Sequence, residues 1–285
     1  MIPSGLLPKR SPDAHKGDMG HVFVIAGSVG LSGAAYLCSM GALRTGAGLV
    51  TLGMPESLKK VMAVKLSEVM TRPLAETKQG SIALGALPEI LGKIESVDSV
   101  ALGPGLSQET QTKEMVRQLL PRLVKPCVVD ADGLNAIADD TSVLSRLAGK
   151  FVITPHPGEM ARLIKLSAKD VGRDRERIAS EFAKKYGVVV ALKGHKSVVA
   201  NIDGEVYINE TGNPAMASGG MGDVLTGMIA ALLAQGLSIF DAARLGVYLH
   251  GLAGDLAEKE IGSVGLIATD LVYKIPHAVS QYQAY

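Results

Sequence analysis

The stretch FVITPHPGEMARLI, residues 151–164, holds the pattern that decides the fold. It starts as a continuously apolar run, crosses a turn bracketed by Pro155 and Pro157, and continues with the spacing of a helix. Strands of a parallel sheet are continuously apolar because helices cover both of its faces. The stretch therefore predicts one strand of such a sheet, followed by a helix that covers it.

The same alternation of strand and helix recurs along the chain. Helical patterns separate further apolar runs, which lie at residues 21–28, 49–55, 98–106, 125–133 and 188–194. Residues 196–210 instead predict a hairpin around the Asp203-Gly204 turn. This order predicts an α/β fold with a mostly parallel central sheet flanked by helices. We find no linker, low-complexity run or internal repeat, so the sequence predicts a single domain spanning residues 1–285.

The composition excludes several classes of function. The 285 residues include 29 Lys and Arg and 28 Asp and Glu, so charge gives no reason to bind nucleic acid or an anionic membrane. Aromatic residues make up only 4%, so platforms that stack single-stranded bases are not indicated. Cys38 and Cys127 lack metal-ligand spacing, and we expect buried thiols in a reducing compartment. The first residues carry proline and charge where a signal peptide is apolar, which predicts a cytoplasmic protein.

Polar or glycine-rich turns follow four of the predicted strands. They are GPG at 103–105, DADG at 130–133, TPHPGE at 154–159 and LKGHKS at 192–197. Ligands of open α/β sheets bind outside the carboxyl ends of the strands, where all four turns are expected. The sequence therefore predicts one site at this edge of the sheet.

Two of these turns contain side chains suited to a ligand. In TPHPGE, the flanking prolines hold His156 rigid for a ligand contact, while Glu159 can instead cap the following helix. In LKGHKS, Lys193 and Lys196 suit nucleotide oxygens, and the alternative is a surface turn with solvated lysines.

The other two turns also leave two interpretations open. The acids of DADG suit the water shell of Mg²⁺ or ribose hydroxyls, or they cap a turn. The glycines of GPG allow a flat ligand to approach the backbone, or they form a structural turn.

A glycine-rich loop that runs into an apolar helix is the strongest chemical signal. In NETGNPAMASGGMGDVLTGMIAALLAQG, residues 209–236, the glycines let backbone N–H groups form an anion-binding nest beside a helix start. Asp223 and Val224 stand where the common phosphate-binding motif has Lys and Ser or Thr. One interpretation is a flexible loop with Asp223 as an N-cap. The other is phosphoryl transfer, in which Asp223 removes a proton from an attacking hydroxyl or orients a metal-bound water.

The combination of motifs resembles a known family. TGNPAMASGGMGDVLTGMIAALLAQG, TPHPGEMARL, DADGLNA, GPGL and HKGDMGHVFVIAGS, in the order found here, resemble the ADP/ATP-dependent NAD(P)H-hydrate dehydratases of the ribokinase-like superfamily. The resemblance extends from about His15 to about Asp270. It implies a ribokinase-like three-layer α/β sandwich, with a mostly parallel central sheet flanked by helices and without the lid of sugar kinases.

The resemblance implies the activity and the residues that carry it. NAD(P)H that has added water at C6 of its nicotinamide ring is phosphorylated on that hydroxyl, and loss of phosphate then restores the ring. Asp223 is implied to be the general base, and Gly219, Gly220 and Gly222 the anion hole. The residues implied to contact the hydrate are Ala35, Gly105, His156, Pro157, Gly158, Glu159 and Asp223. The residues implied to contact the nucleotide are Lys193, Gly194, His195, Lys196, Ser197, Asn213, Ser218, Gly219, Gly220, Met221 and Gly222.

The resemblance also implies co-substrates and partners. It implies Mg²⁺ with ADP, or ATP, as phosphoryl donor, no assigned metal ligand, the S-epimer as substrate, and a homotetramer. Ser218 departs from the Lys or Thr of many relatives, which puts the nucleotide preference in doubt. The chain reaches its first strand too early to hold the epimerase domain that many relatives carry, so a separate epimerase partner is expected. Met40, Met54 and Met62 suit either an oligomer interface or the core.

Two other functions use the same residues. A small-molecule kinase of the hydroxyethylthiazole or hydroxymethylpyrimidine type would share Asp223 and the anion hole. A non-catalytic nucleotide sensor is disfavoured, because Asp223 would then only repel the bound phosphates.

Overall fold

Nine strands form one sheet among the residues that the computed structural model describes, which are 2–147 and 150–284. The strands are β1 (His21–Ile25), β2 (Leu49–Pro55), β3 (Met70–Leu74), β4 (Ser99–Leu102), β5 (Cys127–Val129), β6 (Phe151–Ile153), β7 (Val189–Leu192), β8 (Val198–Ala200) and β9 (Val206–Ile208). Their spatial order is β3-β2-β1-β4-β5-β6-β7-β8-β9. The first seven strands in the chain are parallel, whereas β8 and β9 pair antiparallel and confirm the predicted hairpin.

Helices cover both faces of the sheet. One face packs against α1 (Ser32–Arg44), α2 (Lys59–Lys65), α9 (Met221–Ala234), α10 (Ile239–Ile261) and α11 (Ala268–Gln283). The other face packs against α3 (Leu87–Ile94), α4 (Thr110–Leu119), α5 (Ala131–Ile137), α6 (Pro157–Ile164), α7 (Ala168–Arg173) and α8 (Arg175–Tyr186). This arrangement confirms the predicted three-layer α/β sandwich. The assignment of residues 1–285 to one domain stays a prediction.

Strand β1 shows why the strands are apolar throughout. Val22 and Val24 point into one core, Phe23 and Ile25 point into the other, and all four are fully buried. Successive side chains of a strand face opposite sides, so a strand between two helical layers needs apolar residues at every position.

The strand order reverses at β1, which has β2 on one side and β4 on the other. Crevices of open α/β sheets form at such a reversal. Here two turns close over it: the Gly27 N–H donates to the Pro104 carbonyl at 2.9 Å, and the Ser28 hydroxyl donates to the Gly105 carbonyl at 2.8 Å. These bonds fix the GPG turn directly after β4.

Several local expectations are refined. DADGLNA forms the start of helix α5 and not an open turn, and α4 ends at Leu119, before a 3₁₀ turn that contains Pro121. Met54 and Met62 are core residues with no exposed surface, which excludes them from an oligomer interface, whereas Met40 is half-buried.

Two expectations from composition also meet the structure. Cys38 and Cys127 are buried free thiols, as expected. Among residues 2–147 and 150–284, no helix combines the length and apolarity that crossing a bilayer requires.

Helices α1 and α9 pack so closely that their contact leaves room only for glycine. We therefore expect one added methyl group to have a large effect on stability. A Cβ at Gly227 would lie 1.9 Å from the Cys38 carbonyl oxygen, so Gly227→Ala must push two helix backbones apart. We expect a loss of at least about 2 kcal/mol in the free energy of unfolding, measured by urea denaturation. Gly92→Ala is the control, because Gly92 lies in α3 with no atom within 4 Å of its Cβ position. It should stabilise the protein by roughly 0.5–1 kcal/mol, and equal effects of the two changes would contradict the packing argument.

Candidate active site

The ends of β5, β6 and β7 bring charged side chains together at one edge of the sheet. Lys193 Nζ donates to Asp130 Oδ1 at 2.6 Å and lies 3.8 Å from Glu159 Oε2. Burial opposes the charge of Lys193, but the carboxylates of Asp130 and Glu159 outweigh it and hold the lysine pKa above its usual value. Lys193 therefore stays cationic. Its side chain is only 18% exposed and lies in an ion-pair network, so the interpretation as a solvated surface lysine is wrong for this residue.

A cavity of about 500 Å³ opens beside Lys193. Its walls include all five residues of the predicted nucleotide segment 193–197, together with Asn213, Met221 and Gly222. Further lining residues are Asn209, Thr211, Gly212, Pro214, Met216, Ala217, Leu225, Val247, His250 and Gly251. The size suits a nucleotide, and the structure brings these separately predicted segments to one space.

Helix α10 fixes the loop that forms the far wall of the cavity. Asp255 accepts hydrogen bonds from the Gly212 N–H at 3.0 Å and from Asn213 Nδ2 at 2.9 Å. Thr211 donates to the Tyr248 carbonyl at 2.8 Å, and Gly251 leaves the room that this approach needs. Asp255 was not predicted as a site residue. The one signal was an acid on the small-residue face of a helix.

Histidine 250 ties α10 to the start of α9. The Met221 carbonyl lies 2.9 Å from His250 Nε2, and a carbonyl only accepts, so Nε2 carries the proton. Burial lowers the pKa of His250 to about 4, so the ring is neutral at pH 7. This side chain, which the sequence analysis left without a role, fixes the end of α9 that faces the cavity.

Three of the predicted nucleotide residues precede α9 and lie outside the cavity lining: Ser218, Gly219 and Gly220. Gly220 is the N-cap of α9 with a φ of 90°, and a Cβ there would lie 2.4 Å from Leu37 Cδ1. The positive φ therefore favours glycine at this position, and any larger residue would also have to displace the end of the Leu37 side chain. Gly219 has no atom within 4 Å of its Cβ position, so the loop is open on that side.

Asp223 lies in the first turn of α9, two residues after it begins. The N-cap is Gly220, so the interpretation of Asp223 as an N-cap is wrong. Burial, followed by the negative charge of Asp130, raises the pKa of Asp223 to about 7. A carboxylate with this pKa is a fitting proton acceptor near neutral pH.

His156 and Glu159 form a reciprocal cap at the start of α6. His156 Nδ1 accepts from the Gly158 N–H at 3.0 Å, and Glu159 Oε2 accepts from the His156 N–H at 2.8 Å. The capping alternative for Glu159 is thus confirmed. Because Nδ1 is an acceptor, Nε2 carries the ring proton, and burial together with Lys193 lowers the His156 pKa and keeps the ring neutral. His156 Nε2 lies 3.4 Å from Glu159 Oε1, and because half of the His156 side chain is exposed, a ligand can still reach this donor.

The remaining predicted substrate residues lie at the strand reversal. Gly105 adopts a φ of 63° and packs against Ala34 and Leu31 at the start of α1. Ala35 has no exposed surface, and its methyl group packs on Gly27. The structure thus separates this group from the cavity beside Lys193. The direct substrate contacts of Ala35 and Gly105 stay predictions.

Both acids of DADG are engaged by protein donors. Asp130 is 1% exposed and binds Lys193 and Thr226, the latter at 2.7 Å. Asp132 accepts from the Ser107 N–H at 2.9 Å and from Asn135 at 3.2 Å. Within the described chain no group of three His, Cys, Asp or Glu side chains forms a metal cage. The structure thus supports a role for Asp130 and Asp132 in binding other residues of the chain.

Comparison with known proteins places the chain in a class. The protein is ribokinase-like, because its sheet and helices superpose on solved members of that superfamily. One such structure, an ADP/ATP-dependent NAD(P)H-hydrate dehydratase from Bacillus subtilis, matches with a TM-score of 0.79 and 29% identity over 97% of this chain and 94% of that one.

Sequence comparison then gives the family. The NAD(P)H-hydrate dehydratase family pattern matches residues 22–277, and the chain belongs to this family. It is 35% identical to the ADP-dependent (S)-NAD(P)H-hydrate dehydratase of Neisseria meningitidis, over 92% of this chain and 86% of the relative. It is 48% identical to the bifunctional NAD(P)H-hydrate repair enzyme of Moorella thermoacetica, over 96% of this chain and 52% of the relative. The chain thus spans about half the length of the bifunctional relatives that it matches.

The raised pKa of Asp223 predicts a pH-dependent cost in stability. Between the unfolded value of 3.8 and the folded value of about 7, the unfolded state releases a proton that the folded state keeps, so stability falls as pH rises. We expect Asp223→Asn to raise the free energy of unfolding by roughly 1–3 kcal/mol at pH 8 and to leave it nearly unchanged at pH 4. Urea denaturation at both pH values measures this. The same effect at both would contradict a buried, titrating carboxylate.

Proposed function

We propose that this protein removes water from the S-epimer of NAD(P)H hydrate at the expense of ADP or ATP. The observation that carries the proposal is the position of Asp223 at the start of α9, next to Gly222 in the wall of the nucleotide-sized cavity. Membership of the dehydratase family supports the substrate. The names of the Neisseria and Bacillus relatives support ADP and ATP as donors.

The nucleotide would bind in the cavity with its terminal phosphate at the start of α9. The first-turn N–H groups of Met221, Gly222 and Asp223 have no carbonyl partner within the helix, because such partners lie four residues earlier. These donors and the helix dipole attract an anion. Lys193 adds a full positive charge beside them, with its Nζ 3.3 Å from the Cβ position of Gly222. Gly219, whose Cβ position faces open space, and Gly220, whose Cβ position is crowded by Leu37, would shape the anion hole.

Asp223 would act on the hydroxyl of the hydrate. It accepts the hydroxyl proton while that oxygen attacks the terminal phosphorus of ADP, which releases AMP. The C6–O bond then breaks, and departure of inorganic phosphate with loss of a ring proton restores the double bond. Phosphorylation converts hydroxide, a poor leaving group, into a good one, which explains why a lyase consumes a nucleotide.

The hydrate would lie on the side of Asp223 that faces the strand reversal. The turn 103–105 presents backbone to a flat ring, and His156 presents a neutral Nε2–H donor to the carboxamide or phosphate oxygens. Pro157 and Gly158 allow this geometry, because a Cβ at position 158 would lie 2.8 Å from the imidazole. Ala35 would contribute indirectly, because its methyl group packs against Gly27.

Metal ion and partners belong to the same proposal. Mg²⁺ would be held by the nucleotide phosphates and water rather than by an acidic cage of the described residues, and it would supply positive charge to those phosphates. The bifunctional relatives support a functional link to an epimerase that interconverts the hydrate epimers. The half-buried Met40 is compatible with the homotetramer that the resemblance implies.

The proposal predicts a direct assay result. The protein, incubated with NADH hydrate, Mg²⁺ and ADP or ATP, should restore the near-ultraviolet absorbance of NADH and release inorganic phosphate. Asp223→Asn should bind ADP with a similar affinity and lose at least about 100-fold in turnover, because it removes the base but keeps the shape. Calorimetry measures the binding.

Three outcomes would contradict the proposal. A stable phosphorylated compound without NADH would identify a kinase, nucleotide binding without turnover in the unmodified protein would identify a sensor, and full activity of Asp223→Asn would exclude the base.

A further inference from the structure

Asp130 is a buried carboxylate that has no assigned role in the proposed reaction. Its Oδ1 accepts from Lys193 Nζ at 2.6 Å and its Oδ2 accepts from Thr226 Oγ1 at 2.7 Å, so both oxygens are engaged. Its backbone is held as well: the N–H donates to Leu102 at 3.0 Å and the carbonyl accepts from Gly133 at 2.9 Å. These bonds hold the Asp130 side chain in one position.

The partners of Asp130 lie on either side of the reacting groups. Lys193 lines the nucleotide cavity, and Thr226 follows Asp223 by three residues on α9. The Cβ position of Gly222 is 3.3 Å from Lys193 Nζ and 3.7 Å from Asp130 Oδ2. The ion pair therefore packs directly against the first turn of α9, where a Cβ on residue 222 would lie in close contact with it.

We propose that Asp130 is a positioning residue of the phosphoryl-transfer site. It aims the ammonium of Lys193 at the phosphates in the cavity, and it supplies the negative charge against which Asp223 holds its proton. The Thr226 hydroxyl donates to Asp130 from α9, the helix that also carries Asp223, and so fixes the position of Asp130 relative to Asp223. The substrate in this inference rests on the proposed function, whereas the charge relation between Asp130 and Asp223 does not.

The charges around Asp223 act in opposite directions. Burial favours the protonated form, the negative charge of Asp130 adds to it, and Lys193 opposes it. The charged or ionisable groups that act on Asp223 from the surrounding elements are Asp130 directly after β5, Asp132 on α5, Glu159 on α6, Lys193 directly after β7 and the buried thiol of Cys38 on α1. Removal of Asp130 and removal of Lys193 should therefore shift the titration of Asp223 with opposite signs.

A titration of Asp223 tests this without any substrate. The protein is labelled with ¹³C at aspartate carboxyl groups, and the Asp223 signal is identified by its loss in Asp223→Asn. We expect the midpoint to fall by at least about one pH unit in Asp130→Asn and to rise in Lys193→Met. Asp132→Asn is the matched control, with the same charge removed nearby, and should shift the midpoint by less than half as much.

A double variant keeps the test decisive if Asp130→Asn does not fold. Asp130→Asn/Lys193→Met removes both charges of the buried pair, which proteins tolerate better than the loss of one partner. Its midpoint should lie below that of Lys193→Met, since the two differ only in the charge of Asp130. Equal midpoints in these two variants, or equal shifts in Asp130→Asn and Asp132→Asn, would overturn the proposal.

The activity assay separates positioning from mere support of the fold. With NADH hydrate and ADP, Asp130→Asn should move the acid limb of the pH–rate profile to lower pH and raise the KM for ADP at least about tenfold, since Lys193 loses its anchor. A fall in kcat at every pH with an unmoved acid limb would assign Asp130 a structural role and overturn the inference. If the unmodified protein lacks the activity, the proposed function fails, while the titration still decides the role of Asp130.

Discussion

The buried ion pair between Asp130 and Lys193 is the contact on which the geometry of the site depends. It joins residues 63 positions apart in the chain, at the ends of β5 and β7, across the intervening strand β6. Taking both charges out of water is costly, and their attraction offsets this cost only when the remaining donors and acceptors are satisfied. Thr226 meets that condition for Asp130, and Glu159 adds a second negative group near Lys193. The pair therefore fixes two strand ends and the start of α9 relative to each other.

A helix start that attracts anions and an acid in its first turn make opposing demands, and burial resolves them. A fully ionised carboxylate would repel the phosphate that the helix N–H groups attract. Because burial and Asp130 raise the pKa of Asp223 to about 7, the group is uncharged in a large share of molecules near neutral pH. The same environment lowers the stability of the fold. Such a conflict between stability and chemistry is typical of active sites.

The fold could be predicted from the sequence because its signals are local. Continuous apolar strands, turns rich in Gly and Pro, and helical spacing are each contained in ten to fifteen residues, and the structure confirms the sandwich that they predict. The segments 193–197 and 213–222 were assigned to one nucleotide site by resemblance to the family, and eleven of their residues line one cavity. The loop pattern also predicted that Asp223 lies at a helix start, whereas the role of Asp223 as a base stays a prediction.

The partners within the site could not be predicted in the same way. Asp130 is separated from Thr226 by 96 positions, and no local pattern pairs an acid after one strand with a threonine inside a distant helix. Asp255 supports the cavity wall from the middle of a long helix, where an acid is ordinarily a solvated residue. The N-cap interpretation of Asp223 failed because the helix begins at Met221 with Gly220 as its N-cap, and the positive φ of Gly220 cannot be read from the composition. The partners within the site are determined by which distant residues meet in the fold, and residue type alone does not identify them.

The order of strands in the sheet arranges the two substrates of the proposed reaction. Along the carboxyl edge, the turns at Gly27 and 103–105 follow β1 and β4. Asp130 follows β5, His156 follows β6, and Lys193 follows β7. Helix α9 crosses the face of β1, β4 and β5, so its first turn lies between the strand reversal and the cavity beyond Lys193. A hydroxyl that approaches from the reversal and a phosphate that approaches from the cavity would meet at that turn. Asp223 is the acid of that turn, which is the position that the proposed proton transfer requires.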